Sequence, residues 1–339
     1  MKRHVAAAAV VLTALLGTTV ATAKTNAGSL TGAGSSFVFP LVSTWGPLYE
    51  AATGVHVSYN PIGSGGGIQA IQNRTVDFGA SDAPLTIDQF NNCKGCVQIP
   101  WALSATSISY NLADAPPHLK ITGKVLANIY LGKITKWNDS ALKKLNPGVN
   151  LPDTTITPIF RSDGSGTTYN FTDYLSHISG EFAQKIGTGT QVNFPTGVGG
   201  RGSSGVSSVL NRTNGGIIYV DVAYAKNSHF KFFKVQNAAG KYQLPGLRGI
   251  AAAASTVKSI PTDNSLSIVN PAKSDKLAYP ICTFTYVILP KKTANAAALR
   301  KFVFWALTGG QKAGPKLLFQ PIPKIVLVRA EQTLKQVKS

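Results

Sequence analysis

Short β-branched strands alternate with amphipathic helical stripes along almost the whole chain, and that alternation restricts the chain to the α/β class. Leu41, Trp45, Leu48 and Ala52 fall at i, i+4, i+7 and i+11, one face of a helix that ends at Gly54. His56-Val57-Ser58-Tyr59 follows as a strand. Phe171, Tyr174, Leu175 and Ile178 make a second stripe, and Leu299, Phe302, Val303 and Ala306 a third, ahead of Gly309-Gly310. Two runs, 97–110 and 281–289, read as fully buried strands. Residues 187–205 read as a Gly-rich loop, and the chain from Lys291 onward as helical and basic. The 339 residues leave room for about two domains, with no internal repeat to suggest an array.

The N-terminus reads as an address. Lys2, Arg3 and His4 precede an apolar run at 5–16 and a small-residue stretch ending Ala21-Thr22-Ala23, the pattern of a signal peptide cleaved near Ala23. The run is too short to remain as a membrane-spanning helix. We therefore expect an exported, periplasmic protein that starts near Lys24. The whole chain carries 33 Lys and Arg against 14 Asp and Glu; without the two basic residues of the signal, 31 against 14 leaves +17. Charged residues make up 14%, well under the usual share of about 25%. So few carboxylates argue against a multi-carboxylate metal site, and no cofactor is expected. The positive balance reads as a solvated surface or as anion steering. The bases are spread without an aromatic-interleaved motif, so nucleic acid is not an expected partner.

Cys93-Lys94-Gly95-Cys96 is a CxxC with no second pair, a poor zinc ribbon. A thioredoxin motif needs a helix beginning at the first Cys, whereas Val97-Gln98-Ile99-Pro100-Trp101 looks extended. A disulfide pinning a loop tip is the expectation, with Cys282 left over as a small buried hydrophobe.

Three Gly/Ser-rich turns each stand directly before a helical pattern: Gly32-Ala33-Gly34-Ser35-Ser36-Phe37, Gly63-Ser64-Gly65-Gly66-Gly67, and Arg161-Ser162-Asp163-Gly164-Ser165-Gly166-Thr167. A helix N-terminus exposes unpaired N–H groups and a partial positive charge, and glycine lets an anion approach the backbone. One such turn is an ordinary N-cap; three, one of them bearing an Arg, point to an anion site. Walker spacing is absent, and the first turn lacks the third glycine of a dinucleotide fingerprint. No G-x-S-x-G elbow supports a serine hydrolase. Asp82 could be a turn acid before Ala83-Pro84, and Arg161 the partner of Asp163 in a surface ion pair.

These turns, with Val76-Asp77-Phe78-Gly79-Ala80-Ser81-Asp82-Ala83-Pro84-Leu85, Ile129-Tyr130-Leu131-Gly132-Lys133-Ile134 and Gly215-Gly216-Ile217-Ile218-Tyr219-Val220, resemble the ordered motifs of the periplasmic phosphate-binding proteins of Pst-type ABC transporters. The resemblance runs over nearly the whole mature chain. It implies a two-lobed periplasmic-binding-protein fold of type II, two mixed-sheet domains joined by hinge strands. Lobe I would comprise 24–103 and 284–339, and lobe II 104–283. It further implies a phosphate site of Ser36, Phe37, Ser64, Asp82, Arg161, Ser165, Gly166 and Thr167, with Asp163 holding Arg161. Ser36 stands where this family often has Thr, which keeps the hydroxyl.

The function so implied is capture of inorganic phosphate and delivery, by a monomer, to the permease subunits of a transporter, with no bond made or broken. The alternatives are a receptor for another tetrahedral oxyanion, or a secreted phosphate-ester hydrolase. Asp82 fits the first reading chemically. Phosphate at neutral pH keeps a proton that a carboxylate can accept, whereas sulfate offers none and is repelled.

Overall fold

A computed structural model describes residues 28–339; the expected signal segment 1–23 and the start at Lys24 lie outside the described residues. The chain opens with β1 (Ser29–Gly34), α1 (Phe39–Thr53), β2 (His56–Asn60), α2 (Ser64–Gln72) and β3 (Phe78–Ser81). A short helix, α3 (Ile87–Asn92), leads into the long strand β4 (Cys96–Asn111). Next come β5 (Lys120–Ile121), α4 (Gly123–Tyr130), α5 (Ser140–Leu145), β6 (Thr157–Arg161), α6 (Gly166–Ile178) and α7 (Gly180–Lys185). They are followed by β7 (Val198–Gly200), α8 (Gly202–Arg212), β8 (Gly216–Asp221) and α9 (Val222–Asn227). Three short strands, β9 (Lys231–Phe232), β10 (Lys234–Gln236) and β11 (Tyr242–Gln243), precede α10 (Leu247–Ala254). The chain then returns through β12 (Cys282–Pro290), α11 (Ala296–Leu307) and α12 (Lys324–Leu334).

The main sheet has the order β2-β1-β3-β12-β4-β8-β6-β7, with β9 also on β4; β11, β10 and β5 form a small second sheet. Strand β1 is parallel to β2 and β3, and β6 is parallel to β8 and β7. Between these parallel sets, β12 and β4 run antiparallel. β4 is the seam. Its residues up to Ala105 pair with β12, ending at Cys282, and from Thr106 onward they pair with β8, beginning at Asp221. The two halves expected as separate sheets are therefore continuous through one strand. Fifteen of the sixteen β4 residues and all of β12 are buried, which explains the unbroken apolar runs. The register slips between Thr285, opposite Ala102, and Tyr286, opposite Pro100, leaving Trp101 as the extra residue. Pro100 has no N–H for the ladder, and a bulge absorbs that loss.

Trp45 on α1 packs edge-on to Trp101 of β4 at 5.2 Å, and its indole N–H donates to Gly310 O (2.8 Å). In the other half Phe171 stacks on Tyr219 at 4.2 Å. Two expectations need correction. The buried face of α1 is Leu41, Val42, Trp45, Gly46 and Tyr49, while Leu48 is 49% exposed and Ala52 is exposed. Leu48 points outward, and the neighbouring aromatic Tyr49, on Phe302 and Trp305, takes the inward place. The supposed loop 187–205 closes with a strand, β7, and with the first turn of α8. Gly197 (φ 113°) and Gly202 (φ 69°) occur there because the chain turns through the left-handed region on both sides of β7.

Candidate functional site

The site forms where the C-terminal ends of β1, β3, β6 and β8 face one another across the seam. At the end of β1, Gly34 adopts φ 141°, and a Cβ there would lie 2.1 Å from Ala80 O, so only glycine fits. Ser35 Oγ then donates to Asp82 Oδ1 (2.5 Å) and accepts the N–H groups of Phe37 (3.0 Å) and Val38 (3.3 Å). The Phe37 N–H, expected to be free for an anion, is thus turned to Ser35, and the buried Phe37 ring packs against Phe319. Ser36 reaches the other half. Its Oγ accepts the Ser203 N–H (3.1 Å) and lies 3.0 Å from Ser203 Oγ.

The second turn supplies Ser64, the first residue of α2. Its Oγ accepts the amides of Asp82 (3.2 Å) and Gly166 (3.0 Å), and it lies 3.4 Å from Asp82 Oδ2. One hydroxyl therefore joins β3 to the head of α6. Alongside it, Gly65 N–H donates to Gly164 O (2.9 Å), a direct main-chain bond between the two halves.

The third turn follows β6. Arg161 donates through Nε to Asp163 Oδ1 (2.7 Å) and through Nη2 to Asp163 Oδ2 (2.5 Å). The Arg161 side chain is only 2% exposed, so this is a buried fork rather than the surface pair that the sequence left open. Asp163 Oδ1 also accepts the Gly202 N–H (2.9 Å) from the start of α8. Ser165 caps α6 by accepting Thr168 N–H (3.2 Å). Gly166 follows; a methyl group there would sit 2.6 Å from Asp82 Cβ. Thr167 Oγ1 is buried with no hydrogen-bond partner among the described residues, so its hydroxyl is free to meet a ligand.

Charge is scarce in this hollow. Asp82 is only 2% exposed, and this burial drives its carboxyl up to about 6, against the pull of Ser35, Arg161 and Ser64, so it is mainly a carboxylate at neutral pH and takes up a proton on mild acidification. Asp163 is also raised by burial, but the Arg161 bonds and charge and the Gly202 N–H outweigh this and hold it below the usual carboxylate range. The cluster is thus a set of main-chain amides, hydroxyls and one guanidinium around Asp82, with Asp163 engaged by that guanidinium and by the Gly202 N–H. Such a set can bind a small anion that brings a proton of its own.

All of the expected residues, Ser36, Phe37, Ser64, Asp82, Arg161, Asp163, Ser165, Gly166 and Thr167, lie in this one buried cluster. The sequence reading missed Ser35, which holds Asp82, and the α8 start, Gly202 and Ser203, which holds Asp163 and Ser36. A signal for the latter existed. Gly199-Gly200-Arg201-Gly202-Ser203-Ser204-Gly205 has the composition of the other three turns and also precedes a helix. Asp221, at the end of β8, was missed as well; it is fully buried. Away from the site, Cys93 and Cys96 are disulfide-bonded and Cys282 is buried and free.

The fold and the chain both have counterparts. Residues 19–309 match the model of a PBP superfamily domain. The phosphate-binding protein PstS of Xylella fastidiosa is 42% identical over 91% of this chain and 85% of its own length. That of Pasteurella multocida is 38% identical over 93% and 92%. A crystal structure of a phosphate-binding protein from Stenotrophomonas maltophilia superposes with a TM-score of 0.71 at 19% identity, covering 90% of this chain and 93% of that one. On this evidence the chain belongs to the PstS phosphate-binding-protein family, with the two-lobed fold of the PBP superfamily.

Proposed function

We propose that this protein captures inorganic phosphate between its two lobes and hands it to the permease subunits of an ABC transporter. The observation that carries the reading is the buried convergence of Ser64, Asp82, Arg161 and the head of α6 from opposite halves of one sheet. The relatives bear the name PstS, phosphate-binding protein. Phosphate would take the Arg161 N–H groups that Asp163 leaves free, the unpartnered Thr167 hydroxyl, and donors from Ser36, Ser64, Ser165 and the first turn of α6. The Phe37 amide joins this set only if it leaves Ser35. Each charge-assisted bond contributes about 1.5–3 kcal/mol; five or so would leave about −8 kcal/mol after association costs, micromolar or better.

Asp82 supplies discrimination. As a carboxylate it accepts the proton of phosphate, and it repels sulfate, which has none to offer. The reaction is binding and closure, with no bond made or broken. The hinge would be β4 with β12, placing the lobe boundaries at 103/104 and 283/284, near the change of β4 partner between Ala105 and Thr106. The protein would act as an exported monomer; among the described residues no helix is long and apolar enough to cross a membrane. Calorimetric titration with phosphate, arsenate and sulfate tests the reading. Phosphate binding at micromolar or better, with sulfate at least a hundredfold weaker, is expected; equal binding of phosphate and sulfate, or none of phosphate, refutes it.

A further inference from the structure

We propose that Ser35 is a positioning residue of the anion site: its hydroxyl is locked as a donor to Asp82 Oδ1, which leaves Asp82 Oδ2 as the oxygen that reads whether the ligand carries a proton. The proposal rests on the phosphate-binding reading above and deepens it, by giving control of specificity to a residue outside the set expected to touch phosphate.

A hydroxyl oxygen can accept two hydrogen bonds and donate one. Ser35 Oγ accepts the N–H groups of Phe37 (3.0 Å) and Val38 (3.3 Å), as a serine just ahead of a helix commonly does. Both acceptor positions are thus filled by groups that can only donate, so the Ser35 hydrogen has to point elsewhere. It points to Asp82 Oδ1, 2.5 Å away and 47 residues distant in the chain. The backbone keeps it there. Ser35 N–H donates to Ala80 O (2.9 Å), the Tyr59 hydroxyl donates to Ser35 O (2.8 Å), and Ser35 is fully buried.

A Ser35 hydroxyl that cannot accept excludes a proton from Asp82 Oδ1, so Asp82 gains its proton on Oδ2. Ser64 Oγ stands 3.4 Å from Oδ2, well beyond an ordinary hydroxyl hydrogen bond of about 2.7–2.8 Å, and leaves that oxygen to the ligand. Ionised, Oδ2 accepts the proton that phosphate brings; protonated, it becomes a donor and admits sulfate. Ser35 favours the ionised form, because a hydrogen bond to a carboxylate stabilises its charge. Burial raises Asp82 to about 6, and among the groups that oppose this rise Ser35 acts most strongly, ahead of Arg161 and Ser64. The other groups facing Asp82 are the Arg161–Asp163 pair from the end of β6, Tyr59 from β2 and the buried Asp221 from the end of β8. Helix α6 and β12 bring Asn170 and Thr283, which donate to Asp82 O and do not titrate.

Removing the Ser35 hydroxyl lets Asp82 take up its proton at higher pH, so the variant should admit sulfate where wild type still rejects it. Phosphate affinity is measured by calorimetry, and sulfate affinity by competition against phosphate, from pH 5 to 7.5 in wild type and Ser35→Ala. Selectivity is the phosphate affinity divided by the sulfate affinity. The quotient of wild-type and variant selectivities cancels the titration of phosphate itself and any loss common to both anions. That quotient is expected to reach at least about fivefold at pH 7.5 and to fall within about twofold at pH 5, where Asp82 is protonated in both proteins. A smaller quotient at pH 7.5, or one that stays constant across the range as a merely structural defect would give, overturns the role of Ser35 while phosphate binding by wild type stands. No phosphate binding by wild type overturns the underlying reading and the proposal with it. Should Ser35→Ala fail to fold, proton NMR of wild type at pH 7.5 decides: a slowly exchanging Ser35 hydroxyl proton supports the lock, and a freely exchanging one overturns it.

Discussion

Gly166→Ala separates closure of the two lobes from the folding of either. The glycine opens α6 with its amide on Ser64 Oγ. An added methyl group would lie 2.6 Å from Asp82 Cβ, 2.7 Å from Asp82 N and 2.8 Å from Asp82 C. Carbon atoms in contact settle at about 3.5 Å, so the head of α6 must withdraw from Asp82 by about 1 Å. None of these atoms is the end of a flexible side chain, so the backbone has to give way. That withdrawal breaks Gly166 N–H to Ser64 Oγ (3.0 Å) and Gly65 N–H to Gly164 O (2.9 Å). At about 1 kcal/mol each, plus about 1.5–3 kcal/mol for one ligand contact, phosphate binding should weaken by roughly 3–5 kcal/mol, a hundredfold or more. Within an open lobe, Ala is the better helix former by up to about 1 kcal/mol, so the unliganded Tm should hold or rise. Calorimetry with phosphate and thermal melts with and without it read both quantities. Phosphate affinity within threefold of wild type would refute the closure argument, and a lower unliganded Tm would move the clash into the folded core.

Arg161→Ala should weaken phosphate at least tenfold by calorimetry, and Arg161→Lys should not restore it, because an ammonium lacks the planar fork; wild-type affinity in the Ala variant would remove Arg161 from the site. Asp82→Asn should narrow the gap between phosphate and sulfate affinities. In wild type the same gap should shrink as pH falls below about 6, where Asp82, raised by burial, gains the proton that lets it donate to sulfate. A ratio that stays constant between pH 5 and 7.5 would sink the repulsion argument. Reducing Cys93–Cys96 should lower stability in urea by about 2 kcal/mol, since the bridge closes so short a loop; identical unfolding curves with and without reductant would contradict this.

The residues of the anion turns were legible because their chemistry is local. Glycine at Gly34 and Gly63, a capping hydroxyl at Ser165 and an Arg with an Asp two positions on are each required by a turn whose geometry is set within six or seven residues. The fourth turn was hidden for the opposite reason. Between Gly187 and Gly205 no stripe marks where the loop stops, and β7 exists only because β6 lies beside it to pair with Phe160 and Arg161. The inward face of α1 was misjudged by one position, since a stripe containing both Leu48 and Tyr49 can be rotated either way until the aromatic cluster around Trp101 and Phe302 chooses.

Taken alone, the amino-acid order determined the α/β class, the two buried strands that cross the molecule, and which turns could offer amides and hydroxyls to an anion, because periodicity and turn chemistry act over a few neighbouring residues. Only the tertiary structure decided which hydroxyl meets which acid. Ser35 with Asp82, Gly166 with Ser64, and Ser36 with Ser203 are separated by 47, 102 and 167 residues. Their meeting depends on one sheet aligning the ends of β1, β3, β6 and β8. Burial in that shared hollow, not the identity of Asp82 or Asp221, then sets how tightly each acid keeps its proton.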